Sequence, residues 1–243
     1  MKSLLSALVV VVLVGACDGA TAPRSLPSSV DDSRVPPELR AAYFEDAASL
    51  ALRDLQANGS SEISIPDEAT RPYYNALVLV YNATALPARD TVVDVFQIHT
   101  RGPTTRSLLL QLLGTEEWVQ RLARREIPTG DPDVDALLAR YALSVGSVYT
   151  MTNGDVLITI GPPQPLNITA LAQRFVGIAG VRFAEPNSSI GDGNNISGSI
   201  EASRVLLDYS VGYGDCFSGC IGRRFYHFAV HADEIVEYLG ASG

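Results

Sequence analysis

Residues 212–220 read Gly-Tyr-Gly-Asp-Cys-Phe-Ser-Gly-Cys, with an apolar, β-type run on either side. No other stretch limits the fold so tightly. Glycine frees the backbone for a tight turn. Two cysteines with three residues between them can close within one turn, since a disulfide needs Cα atoms about 4.4–6.8 Å apart. Free thiols and a metal or redox site are the other readings. Zinc wants further Cys or His at matching spacing, and His99, His227 and His231 form no paired motif. A redox pair reads Cys-x-x-Cys ahead of a helix, whereas Ile-Gly-Arg-Arg-Phe-Tyr follows Cys220. The expectation is a disulfide between Cys216 and Cys220, closing a loop between strands at 204–210 and 223–230.

Periodicity divides the chain into a helical N-terminal half and a β-rich C-terminal half, an α+β class. Pro36-Pro37-Glu38 opens a helix whose apolar positions Leu39, Tyr43, Ala47, Leu50 and Leu55 share one face. Asn58-Gly59 ends it. A second helix is expected over 67–82 from Tyr74, Leu77, Val78 and Tyr81, with a buried strand at 76–81 as the competing reading. Residues 91–99 are β-branched and aromatic and read as a strand ending at His99. A lone histidine there is read as an ordinary surface or core residue. Helices follow from Thr115-Glu116-Glu117 and over 132–141. Alternation over 143–150, Asn153-Gly154 and a run at 156–160 form a hairpin signal. Asn167 caps a helix carried to Gly180. Residues 188–203, rich in Ser, Gly and Asn, read as a linker. The expected organisation is a leader at 1–16, a flexible tether at 17–35, a mainly helical region at 36–142 and a β-rich region at 143–243, with the likeliest internal break near Leu143.

At the N-terminus, Lys2 precedes an apolar run at 4–14, too short to span a bilayer as a mature helix. Val14-Gly15-Ala16-Cys17 then resembles the lipobox of bacterial lipoproteins. That resemblance implies cleavage before Cys17, lipidation of Cys17, export and a membrane anchor; several acyl chains hold a protein stably where one does not. Cys216 and Cys220 would remain as an even pair in an oxidising compartment. The formal charge of −9 disfavours nucleic acid and polybasic membrane binding. Asp18 bears on which membrane keeps the protein, by analogy with enterobacterial lipoproteins, and leaves inner against outer open.

Residues 170–187, closing in Ala184-Glu185-Pro186-Asn187, resemble the end of a subtilase propeptide or related inhibitor domain. That family implies a small ferredoxin-like α+β unit. The segment Tyr213-Gly-Asp-Cys-x-x-Gly-Cys-Ile resembles the C-terminal ends of uncharacterised bacterial lipoproteins and exported proteins, a likeness that implies a compartment and no activity.

Reactive constellations are sparse. Asp215 and His227 are the weak candidates for an acid/base pair, without a Gly-x-Ser-x-Gly or Ser-x-x-Lys motif. Gly191-Asp192-Gly193-Asn194-Asn195 lacks the ligand offsets of a calcium loop, Ile196 standing where a ligand is needed, so no metal site and no cofactor is expected. The functional expectation is a lipid-anchored envelope protein with a non-catalytic binding or structural domain and a protein partner in the envelope. A protease inhibitor or propeptide-like folding helper is the alternative.

Overall fold

Pro37 at the first turn, with Glu38 beside it, starts α1 (Pro37–Ala57), and the chain leaves this helix at Gly59 with φ of +76°. The computed structural model describes residues 26–188, 192–217 and 219–243. The leader and Cys17 lie outside the described residues. α2 (Asp67–Asn82) forms as a helix throughout, so the competing strand at 76–81 does not form. The two helices lie side by side and bury Tyr43, Ala47, Leu50, Tyr73, Leu77 and Val80.

The chain then departs from expectation. In place of a strand at 91–99, α3 (Pro87–Arg89) runs into a π-helix, Asp90–Val95. A buried arginine explains the override. Arg89 bonds the Tyr81 carbonyl at 2.8 Å, lies over the Tyr81 ring and pairs with both Asp90 and Asp94. A π turn gathers residues five apart, which is the spacing of Arg89 and Asp94. β propensity yields to this pairing.

Next comes a β-α-β-β-α-β unit: β1 (Leu108–Leu112), α4 (Glu117–Ala123) and α5 (Pro132–Arg140), β2 (Ser144–Thr150), β3 (Val156–Gly161), α6 (Ile168–Phe175) and β4 (Val181–Pro186). Its sheet is antiparallel in the order β2-β3-β1-β4, the split arrangement of such units. Leu110, Leu112 and Ile158 point into a core with Trp118, Leu122, Leu138, Leu171 and Phe175. Strict alternation over 143–150 fails, because a bulge between Val145 and Val148 turns both valines toward this core. α6 stops at Phe175 rather than running to Gly180, since Gly177 takes φ of +96°.

β5 (Asn195–Glu201), β6 (Arg204–Tyr213), β7 (Gly222–His231) and β8 (Val236–Ser242) form a second antiparallel sheet in sequence order. The reading of 188–203 as a linker is corrected: residues 195–201 of that stretch form β5, with Ile196 fully buried. Ile196, Val205, Leu207, Tyr209, Phe228 and Val230 pack against α1 and α2. Thus the first helices and the last sheet share one core, and the middle unit holds another. Leu143, where a break is expected from the change of period, is buried within the middle core. Arg53 of α1 clamps the first core to the connection, donating to the carbonyls of Ile196 and Gly102 at 2.6 Å each. Glu45 reaches the middle unit through Arg106 and Thr105.

Residues 26–35, which fall in the stretch expected as a tether, include side chains packed on the fold. Leu26 and Val30 pack against the first core and Val35 is buried within it. The side-chain amide of Asn75 takes up the Pro27 carbonyl at 2.8 Å, and Tyr74 donates to Asp32 at 2.6 Å.

The disulfide joins Cys216 and Cys220 between β6 and β7 as expected. Asp192 holds both ends of the loop: its backbone N–H donates to the Cys216 carbonyl at 2.7 Å, and its carboxylate accepts from Cys220 N–H at 3.1 Å and pairs with Arg223.

Candidate functional site

A cavity of about 470 Å³ opens between the start of α1 and the segment after the π-helix. Helical spacing brings Leu39, Ala42 and Tyr43 of α1 onto its wall, with Asp46 one turn further along. Tyr81, Asp94, Gln97 and His99 line the other side, and Glu38 sits at the rim. The turn that delivers His99 is unusual. Gln97 takes φ of +45° without being glycine, and such conformations persist only where the surroundings impose them. Ile98, buried in the first core, supplies that constraint.

Asp46 is 3% exposed, and a carboxylate so buried needs full compensation. It has it. Thr100 donates its backbone N–H at 2.7 Å and its hydroxyl at 2.8 Å to Oδ1, and His99 Nδ1 lies 2.6 Å from Oδ2. Three donors thus converge on the Asp46 carboxylate, and as an acceptor it places a proton on Nδ1 of His99. His99 Nε2 is then the ring nitrogen open to an occupant of the cavity. The hydrogen bond to Asp46 holds the imidazole above its ordinary pKa; burial opposes this and the Asp46 charge adds to it. Burial pushes the Tyr43 phenol well up, with the Asp46 charge acting the same way, so it is a neutral hydroxyl. Near these groups the hydroxyl of Tyr209 is buried without a hydrogen-bond partner among the described residues. Chemically the site offers an oriented imidazole, the tyrosine side chains of Tyr43 and Tyr81 and the carboxylates of Glu38 and Asp94 around a space fit for a small polar ligand.

The sequence candidates lie elsewhere. Asp215 sits in the cysteine loop and does not pair with His227. His227 Nδ1 instead meets Asp208 at 2.6 Å and Nε2 meets Ser242 at 2.8 Å. Asp208, rather than Asp215, is directly opposite His227 in the β6–β7 ladder. Among the described residues no group of three His, Cys, Asp or Glu side chains could hold a metal. No helix among them is long and apolar enough to cross a membrane.

His99 and Asp46 escaped the sequence reading because 53 residues separate them. One signal was present: Asp46 is the charged residue within the apolar face of α1, and a carboxylate there needs a partner. Compared with known proteins, the chain matches no family model, no curated protein and no solved structure.

Proposed function

We propose that this chain is an exported, lipid-anchored envelope protein whose folded domain binds a small polar ligand in the cavity beside His99. The anchor rests on Val14-Gly15-Ala16-Cys17. The binding role rests on one observation: a buried, fully compensated aspartate fixes an imidazole at the wall of a ligand-sized cavity. Burying that carboxylate carries a desolvation cost that its three donors offset. A small-fragment set of amines, alcohols and carboxylates tests the reading, with the imidazole NMR signals as reporter. Some fragments shift His99 and leave His231 unmoved, and Ala42→Trp, which fills the cavity, abolishes the response. If no fragment moves His99, or if the response survives Ala42→Trp, the binding reading fails.

A second reading, a protease inhibitor or propeptide-like folding helper, is favoured by the middle unit. Its β-α-β-β-α-β order agrees with what the resemblance at 170–187 implies, and β4 lies at the sheet edge, where an extended peptide can add as a strand. The tail is less suited to entering a cleft, since Asn187 is tied to Ser107 by backbone and side chain. Saturable inhibition of a subtilase by the full chain supports this reading; cleavage without inhibition removes it.

A further inference from the structure

We propose that Ser242 is an activated nucleophile, with His227 as its base and Asp208 orienting the base, so that the outer face of the second sheet carries an acyl-transfer site for esters. The three side chains form one hydrogen-bonded line across β8, β7 and β6: Ser242 Oγ to His227 Nε2 at 2.8 Å, and His227 Nδ1 to Asp208 Oδ1 at 2.6 Å. Nucleophile, base and orienter within hydrogen-bond reach is the arrangement by which such groups are recognised on any fold.

A register shift creates it. Phe228 pairs with Tyr238, so unbroken pairing would set Leu239 opposite His227 and would turn Ser242 to the helix-packed face. The bulge between His227 and Phe228 adds one residue, sets Gly240 opposite His227 and Ser242 opposite Phe225, and so re-aims the hydroxyl. Gly240 takes φ of +112° and lays no side chain across the imidazole. Phe225 stacks on the ring at 6.1 Å with the planes 9° apart, fixing its orientation. His231, whose Nε2 meets Glu237 at 3.2 Å on the same sheet, has a carboxylate but no hydroxyl and serves as the internal control.

In the reaction Ser242 Oγ attacks the ester carbonyl carbon while its proton passes to His227 Nε2. The C–O bond to the alcohol breaks and the alcohol leaves with that proton. Water then attacks acyl-Ser242, again losing its proton to His227, and releases the carboxylic acid as Ser242 Oγ regains the proton. Asp208 holds the ring through Nδ1 throughout. β8 is an edge strand, so alternate N–H groups along it lie off the ladder and are donors on offer to the developing oxyanion.

The test treats the full chain with an alkyl fluorophosphonate, where Ser242 Oγ bonds phosphorus and fluoride leaves, and locates the adduct by peptide mass spectrometry. The expected result is one fast adduct at Ser242, absent in Ser242→Ala and slowed about 10²-fold in His227→Gln and Asp208→Asn, the lower range for general-base assistance. His231→Gln labels at the wild-type rate. An unchanged His99 NMR signal in each variant reports that the fold is retained. Labelling at Ser242 no faster than at Ser199, or undiminished in His227→Gln, shows that the line is a structural cross-strand contact and overturns the proposal. Hydrolysis of p-nitrophenyl acetate that persists in Ser242→Ala comes from imidazole alone and overturns it equally.

Discussion

Asp46 is the residue on which the cavity wall depends, because two donors of Thr100 and one of His99 converge on it. Asp46→Ala leaves those donors without their acceptor and costs about 2 kcal/mol, read as a lower denaturation midpoint with an unchanged slope. The same contact sets a pH dependence. The folded pKa of His99 is raised, so the pair adds stability that is fully present below the ordinary imidazole value of about 6.5 and lost as pH rises through the folded value. An NMR titration places the His99 midpoint above that of an ordinary imidazole, and Asp46→Asn lowers it. A midpoint unaffected by Asp46→Asn contradicts the assignment. At this scale the sequence was half legible. A carboxylate on a buried helix face announces a partner, but pattern alone cannot find it 53 residues away, beyond two further helices and a π-helix.

At the scale of elements, local pattern located α1, α2, the Asn153-Gly154 hairpin and the paired strands around the cysteine loop. It failed where a tertiary contact overrode it. Arg89 winds 90–95 into a π-helix, and bulges break the alternation in β2 and β8. β5 was hidden by its glycine and serines. Gly198 is there because α2 comes close: a Cβ would lie 3.2 Å from the Tyr73 ring and 2.7 Å from the Leu206 carbonyl. A strand glycine often marks such an approach. Gly198→Val therefore forces α2 off the sheet, at a cost of about 1–3 kcal/mol, and amide exchange speeds up in both α2 and β5. Exchange rates unchanged in α2 count against this packing. The disulfide acts more locally. Its closed loop is short, so Cys216→Ser with Cys220→Ser costs about 2 kcal/mol in the chain-entropy picture, measured by thermal unfolding against wild type. Asp192 and Arg223 keep hold of the loop ends, so the strands remain paired.

For the whole molecule, chain order and spatial order differ. The first helices wait for the last sheet to cover their apolar face, and the β-α-β-β-α-β unit stands between them in sequence. That crossing of halves was not legible, since α1 and α2 are amphipathic helices that any sheet could cover. The described chain begins packed against the first core at Leu26. Fractionation of cells carrying wild-type chain or Cys17→Ser tests the anchored reading most directly. The account predicts that wild type stays with membranes through a high-salt wash and leaves only with detergent, while Cys17→Ser is released as a folded soluble protein with its disulfide formed. Cys17→Ser protein that stays in the washed membrane fraction would contradict it.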